Sequence, residues 1–293
     1  MEYFLENEYL IVRINSFGAE LKSVLNKQDY REYMWYGDSR FWGRTSPVLF
    51  PFVGGLKDKQ YNWKGATYTM GQHGFARDME FTMVNKTTDE VSFSLKSNES
   101  THANYPFDFE LIITYKLSGR EVGVNWKVIN PSGDTLYFSI GAHPAFLCPV
   151  HGEGSKVGYR LYFEGVDEIH HHGNSNETGL ALMVEDIVIP LSDHRVAITA
   201  DFFDRCTYMI EGNQTKVVGI EDPEGNRFVD VCFDTPLFAI WSPEGKNAPF
   251  ICIEPWYGRC DASDFSGDLS QRDYTNVLSA GQAFDGGYTM KFY

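Results

Sequence analysis

Phe109-Glu110-Leu111-Ile112-Ile113-Thr114-Tyr115-Lys116-Leu117, followed closely by Val122-Gly123-Val124-Asn125-Trp126-Lys127-Val128, is the stretch that decides the fold. In the first run Phe109, Leu111, Ile113, Tyr115 and Leu117 fall on one face. In the second, Val122, Val124, Trp126 and Val128 alternate with Gly123, Asn125 and Lys127. Successive side chains of a strand point to opposite faces, so this alternation marks half-buried strands. The same period recurs in Val91, Phe93 and Leu95, in Leu136, Phe138 and Ile140, and in Val229, Val231 and Phe233. Turn formers punctuate the runs: Asn130-Pro131-Ser132-Gly133-Asp134, Asp222-Pro223-Glu224-Gly225-Asn226 and Pro243-Glu244-Gly245-Lys246-Asn247. No long stretch has a helical period, and an aromatic content of 15% suits broad sheet faces. Many strands at short intervals predict an all-β antiparallel sandwich or barrel. With no linker composition and no internal repeat, the expectation is one domain over residues 1–293.

Bulk properties exclude several classes of partner. The net charge of −15 argues against nucleic acid and anionic membranes, both of which need a basic footprint. No apolar run reaches the ~18–20 residues that span a bilayer. The start, Met1-Glu2-Tyr3-Phe4-Leu5-Glu6-Asn7-Glu8, is acidic and does not read as a secretory signal. The five cysteines, Cys148, Cys206, Cys232, Cys252 and Cys260, lack framework spacing and form no C-x-x-C pair. They predict thiols in a reducing cytoplasm rather than a disulfide scaffold or a structural zinc site.

Three separated motifs each carry one ionisable group among glycines and aromatics. They are Gln72-His73-Gly74-Phe75-Ala76-Arg77-Asp78, Gly141-Ala142-His143-Pro144-Ala145-Phe146, and Ile251-Cys252-Ile253-Glu254-Pro255-Trp256. Two imidazoles and a carboxylate are a minimal kit for moving protons near neutral pH. His143 follows an alternating strand and precedes a proline, so it is placed where the chain leaves the sheet. Glu254 shares a strand face with Phe250, Cys252 and Trp256. A carboxylate there is costly to bury, and desolvation raises its pKa towards that of a useful base. Plainer readings are a buried His73 satisfied by backbone groups, a turn histidine at His143 and a structural ion pair at Glu254. Two histidines and a carboxylate also suit an iron site.

Two segments read as irregular and as builders of a site mouth. Residues 150–195 hold His170-His171-His172 and Asn174-Ser175-Asn176, with a polar loop as the expected setting of the histidine triplet. Residues 257–280 hold Asp261, Asp264, Asp268 and Asp273, which do not match a calcium loop and read as a solvated loop. Phosphate-binding glycine loops and G-x-S-x-G are absent from the sequence.

The motifs, taken in order, resemble the aldose 1-epimerase (galactose mutarotase-like) superfamily, in its LacX-like, galactose mutarotase-related bacterial branch. The likeness begins with Phe17-Gly18-Ala19-Glu20-Leu21-Lys22-Ser23 and Tyr33-Met34-Trp35. It continues through Trp42-Gly43-Arg44-Thr45-Ser46-Pro47-Val48-Leu49-Phe50-Pro51-Phe52-Val53-Gly54, the His73 and His143 motifs, Phe238-Ala239-Ile240-Trp241-Ser242 and the Glu254 motif. The resemblance implies a large antiparallel β-sandwich with a sugar site on one concave face. It implies a glutamate base at Glu254, a histidine acid at His143 and a ring-positioning His73. The reaction implied is opening of a hemiacetal and its closure on the other carbonyl face. No metal or redox cofactor is implied. The partner implied is a small-molecule sugar, in a cytoplasmic monomer or homodimer. A hexose 6-phosphate substrate and a non-catalytic carbohydrate-binding role are the alternatives.

The chain departs from the family pattern twice. A sugar-binding arginine would fall at Gly55, where Arg44 and Arg77 are the candidates to replace it. A substrate-binding aspartate would fall at Cys206 within Phe203-Asp204-Arg205-Cys206-Thr207, where Asp204 lies on the same face of an extended segment. Trp241 and Trp256 are expected to pack against the apolar face of a sugar.

Overall fold

The computed structural model describes residues 1–152, 154–175, 177–204 and 206–293. Asn176 and Arg205 of the segments quoted above lie outside the described residues. Two large antiparallel sheets dominate. The alternating stretch 109–128 forms strands Glu110–Ser118 and Glu121–Ile129, paired so that Leu117 faces Val122, Tyr115 faces Val124, Ile113 faces Trp126 and Leu111 faces Val128. All eight side chains are buried. A slip of one residue would turn every one of them to the other face, so burial fixes this register. Each fully buried side chain of this size contributes about 1.5–3 kcal/mol relative to exposure.

These two strands sit within a nine-stranded sheet. Its order is Arg195–Ala197, Arg160–Phe163, Val217–Glu221, Arg227–Phe233, Ala283–Phe292, Glu121–Ile129, Glu110–Ser118, Glu90–Lys96 and Thr82–Lys86. The second sheet runs Ala181–Pro190, Glu168–Asn174, Tyr208–Glu211, Leu237–Trp241, Phe250–Tyr257, Ile140–Ala142 and Val48–Leu49, with Ala145–Leu147 also paired to Phe250–Tyr257. Its central strands, Leu237–Trp241 and Phe250–Tyr257, are buried on both faces. Ile251 and Ile253 join the main core with Phe238 and Ile240, alongside Val122, Val124 and Trp126 of the nine-stranded sheet. Phe250, Cys252 and Trp256 face the other way into two smaller apolar clusters. The main core therefore lies between the sheets. The outer face of the second sheet carries its own apolar layer and the site.

Three expectations are corrected. The alternating run Leu136–Ile140 is not one strand: Leu136–Phe138 pairs with Asn276–Leu278, whereas Ile140–Ala142 joins the second sheet. Among the described residues, 150–195 contain three complete strands, Arg160–Phe163, Glu168–Asn174 and Ala181–Pro190, and Arg195 opens a fourth, Arg195–Ala197. The histidine triplet lies in the middle one, with His171 buried against the Tyr208 ring and His170 and His172 half-exposed. Polar composition hid this strand, because its hydrogen bonds come from pairing and not from apolar alternation. The acidic segment 257–280 is not simply solvated. Asp261 is buried and receives the Arg272 Nε–H at 2.6 Å, and Asp273 receives the buried Arg259 Nη2–H at 2.6 Å. Helix is confined to one four-residue turn, Glu99–His102, and three short 3-10 segments among the described residues, and no helix there is long and apolar enough to cross a membrane.

Candidate active site

The strand Phe250–Tyr257 places Glu254 near the middle of the second sheet, opposite Ala239 on one neighbour. On its other side the chain approaches as Ile140–Ala142, leaves the strand at His143 and re-enters as Ala145–Leu147. The break at His143-Pro144 aims the imidazole at Glu254, with Nε2 3.3 Å from Oε2. Gly141 makes this approach possible, since a Cβ there would sit 2.5 Å from the Trp256 ring. The Trp256 indole N–H then donates to the Ala142 carbonyl at 3.2 Å, fixing the residue before His143.

His73 reaches the same place from a different loop. Its backbone N–H donates to the Gly54 carbonyl at 2.9 Å, and its Nδ1 accepts the Gly54 N–H at 3.0 Å. His73 adopts a left-handed conformation with φ of 67° to close this double contact. An Nδ1 that accepts is unprotonated, so a neutral His73 carries its proton on Nε2 and is a fixed donor. The His73 and His143 rings meet edge to face at 5.7 Å.

All three ionisable groups of the sequence motifs therefore line one cavity of about 540 Å³. Arg44, Arg77, Trp241 and Trp256 line it as well. Burial raises the Glu254 carboxyl well above its ordinary range. Burial, reinforced by the Arg77 guanidinium, pushes the His143 imidazole down to about 3. His73 is lowered by burial and then by His143. These shifts favour a protonated carboxyl beside a neutral imidazole, because neither charge is solvated. One proton on two adjacent groups leaves one donor and one acceptor facing the cavity.

Arg44 Nη2 donates to Asp78 Oδ1 at 2.8 Å, and Arg77 Nε lies 3.8 Å from Asp78 Oδ2. Two guanidiniums thus share one carboxylate at the cavity wall. Burial and then the Arg44 charge lower Arg77 to about 10. Asp204 is placed elsewhere: it is exposed, accepts the Gly245 N–H at 3.1 Å and does not line the cavity. Its neighbour Cys206 packs against Gly173. Thr207 and Asn174 occupy that side of the cavity instead, joined by the Thr207 N–H to Asn174 Oδ1 at 3.1 Å. At Gly55, an added Cβ would meet the Gly179 and Thr178 carbonyls at 3.4 and 3.5 Å. A turn that itself lines the cavity therefore fills the space beside the position of the missing arginine.

Sequence reasoning missed Trp42. Its ring stacks on His143 at 4.6 Å and 27°, while Trp241 closes on the same imidazole edge to face at 5.3 Å. The residue lies outside any strand, so no periodicity marked it; its place beside Arg44 was the available signal. Asn174 and Thr207 were hidden for the same reason as the strand that ends at Asn174.

Comparisons with known proteins show the family and the fold. The family model described as "Aldose 1-epimerase" matches residues 1–280. Protein LacX of Lactococcus lactis subsp. lactis, in its chromosomal form, is 33% identical over 264 residues, covering 87% of each chain. The crystal structure of a galactose mutarotase related enzyme from Lactobacillus acidophilus aligns with a TM-score of 0.94 at 34% identity, covering 100% of this chain and 97% of that one. A galactose mutarotase-like protein from Lactobacillus casei ATCC 334 aligns with a TM-score of 0.90 at 30% identity, covering both chains fully.

Proposed function

We propose that this chain, which belongs to the aldose 1-epimerase family, interconverts the α and β anomers of a free hexose or related aldose. The observation that carries the reading is the buried Glu254–His143 pair, 3.3 Å apart and lining a cavity of about 540 Å³. In the proposed reaction Glu254 takes the proton of the anomeric hydroxyl while His143 delivers one to the ring oxygen. The C1–ring oxygen bond breaks as the C1 carbonyl forms. Rotation about the C1–C2 bond presents the other carbonyl face, and the ring hydroxyl adds back as the two groups exchange protons in reverse. His73 Nε2–H is the donor that holds the ring oxygen or its neighbour. Trp42 and Trp241, packed on His143, exclude water and offer ring faces to the sugar C–H groups.

The two roles need the pair's shared proton on His143, whereas burial favours it on Glu254. Because the 3.3 Å contact between the two groups lacks hydrogen-bonding geometry, a sugar hydroxyl bridging them is the route for that transfer, and the bound sugar's hydroxyl dipoles replace the water that would stabilise the charged form. The test is saturation-transfer NMR of anomer exchange over a panel of sugars. Wild type should accelerate exchange for at least one of them. Glu254→Gln and His143→Asn should each lower that acceleration by about 10²–10⁴-fold, the usual worth of a general acid or base. No acceleration for any sugar would remove the catalytic claim, and saturable binding without exchange would make the protein a carbohydrate binder.

A second reading, epimerisation of a hexose 6-phosphate, is favoured by the Arg44 and Arg77 guanidiniums that share Asp78 at the cavity wall. Exchange catalysed for glucose 6-phosphate but not for glucose would select it.

A further inference from the structure

Cys252 stands two residues before Glu254 on the same face of the strand Phe250–Tyr257, opposite Ala145. The mechanism above gives it no role. Its sulfur, a His143 ring nitrogen and a Glu254 carboxylate oxygen all lie within 4.8 Å of one another. The three residues are almost wholly buried: Cys252 is 0% exposed, Glu254 1% and His143 7%. Two polar atoms here have no hydrogen-bond partner, namely Glu254 Oε2 and His143 Nδ1. The 3.3 Å contact between Glu254 Oε2 and His143 Nε2 misses hydrogen-bonding geometry. A buried carboxylate oxygen left this way costs free energy unless something else engages it.

We infer that His143, Cys252 and Glu254 form a three-ligand site for a thiophilic divalent cation of the zinc class, and that a cation bound there blocks the proton-transfer pair. Imidazole, thiolate and carboxylate are all established ligands of such an ion, and three protein ligands leave a fourth position open, here towards the cavity. With bonds of ~2.0–2.3 Å, neighbouring ligand atoms around a tetrahedral ion lie about 3.3–3.8 Å apart. The Glu254–His143 contact of 3.3 Å already has that separation. The sulfur lies within 4.8 Å of both other ligand atoms and must draw closer to complete the set. Binding releases two protons to solvent, one from the thiol and one from the Glu254 carboxyl, so that thiolate and carboxylate together balance the double charge of the ion. An iron site built on both histidines fits less well, because His73 Nδ1 is taken by the Gly54 N–H and His73 is not in this group of ligand atoms.

The blocking effect rests on the proposed epimerase reading, whereas the binding does not. The experiment therefore reads binding first, with Co²⁺ as the probe on chelator-stripped, untagged protein. The expected result is one Co²⁺ per chain with a thiolate-to-cobalt charge-transfer band in the near ultraviolet, displaced by one equivalent of Zn²⁺. Cys252→Ser should abolish the band, although the other four cysteines remain. Glu254→Gln, which keeps the side-chain volume, should weaken Co²⁺ binding by more than about tenfold, since even residues behind a metal ligand matter by that factor. No band in the wild type, or an undiminished band in Cys252→Ser, would overturn the site. If either variant is unfolded by circular dichroism, the other decides. Anomer exchange by the stripped enzyme, with and without one equivalent of Zn²⁺, then tests the block. Exchange unaffected by bound Zn²⁺ would overturn the block, and no exchange without metal would count against the epimerase reading while leaving the binding result standing.

Discussion

Glu254 and His143 show how a single pair of residues reads differently in sequence and in space. The sequence marked Glu254 as a carboxylate on an apolar strand face, and desolvation raises its pKa as that placement requires. His143 was expected to be the acid, yet burial and the Arg77 charge hold its imidazole low, at about 3. Desolvation favours the uncharged form of each group, a protonated carboxyl and a neutral imidazole. A second proton joins the pair only at the low pKa of His143. The acid limb of kcat/KM should therefore lie well below the ordinary imidazole value of ~6.5. An acid limb centred near ~6.5 would show a solvated imidazole instead. The alkaline limb belongs to loss of the shared proton, at the raised pKa of Glu254. Trp42, silent in the sequence, stacks on His143 and contributes to this desolvation.

At the scale of elements, the segment between strands Phe250–Tyr257 and Asn276–Leu278 is more than a surface loop. Asp261 receives the Arg272 Nε–H at 2.6 Å and the Lys57 N–H at 2.9 Å, while its own N–H donates to the Gly55 carbonyl at 3.0 Å. Arg259 is held by Glu211 at 2.8 Å and by Asp273 at 2.6 Å. These pairs tie the segment to the Gly54–Gly55 wall of the cavity. Breaking a buried pair strands the partner charge, so Asp261→Asn should lower unfolding free energy by about 3–5 kcal/mol in urea denaturation. Adding Arg272→Met should recover part of that loss. A change below about 1 kcal/mol would return Asp261 to the class of solvated loop residues. The strand Glu168–Asn174 makes a similar point. Its histidine triplet follows the two-residue period, but the apolar signal that reveals such a period is missing, and only pairing with Ala181–Pro190 and Tyr208–Glu211 discloses it.

Across the whole molecule, one apolar core joins residues from both large sheets. Two sheets that share a core should lose it together. Urea unfolding followed by circular dichroism and by tryptophan fluorescence should give coincident single transitions, since Trp126 reports from one sheet and Trp241 and Trp256 from the other. Two separated transitions would divide the chain into independent units and sink the expectation of a single domain. By itself the sequence determined the strand class, the inward faces of Glu90–Lys96, Glu110–Ser118, Glu121–Ile129 and Arg227–Phe233 in the nine-stranded sheet, and the choice of three ionisable residues as candidates, because a two-residue period and a carboxylate in an apolar run are local signals. Tertiary structure decided which side chains meet. It put Glu254 and His143 in contact, brought Trp42 onto the imidazole, left Asp204 outside the cavity and buried Asp261 against Arg272. These are contacts between residues distant in the chain, and they depend on strand order and on where each strand breaks.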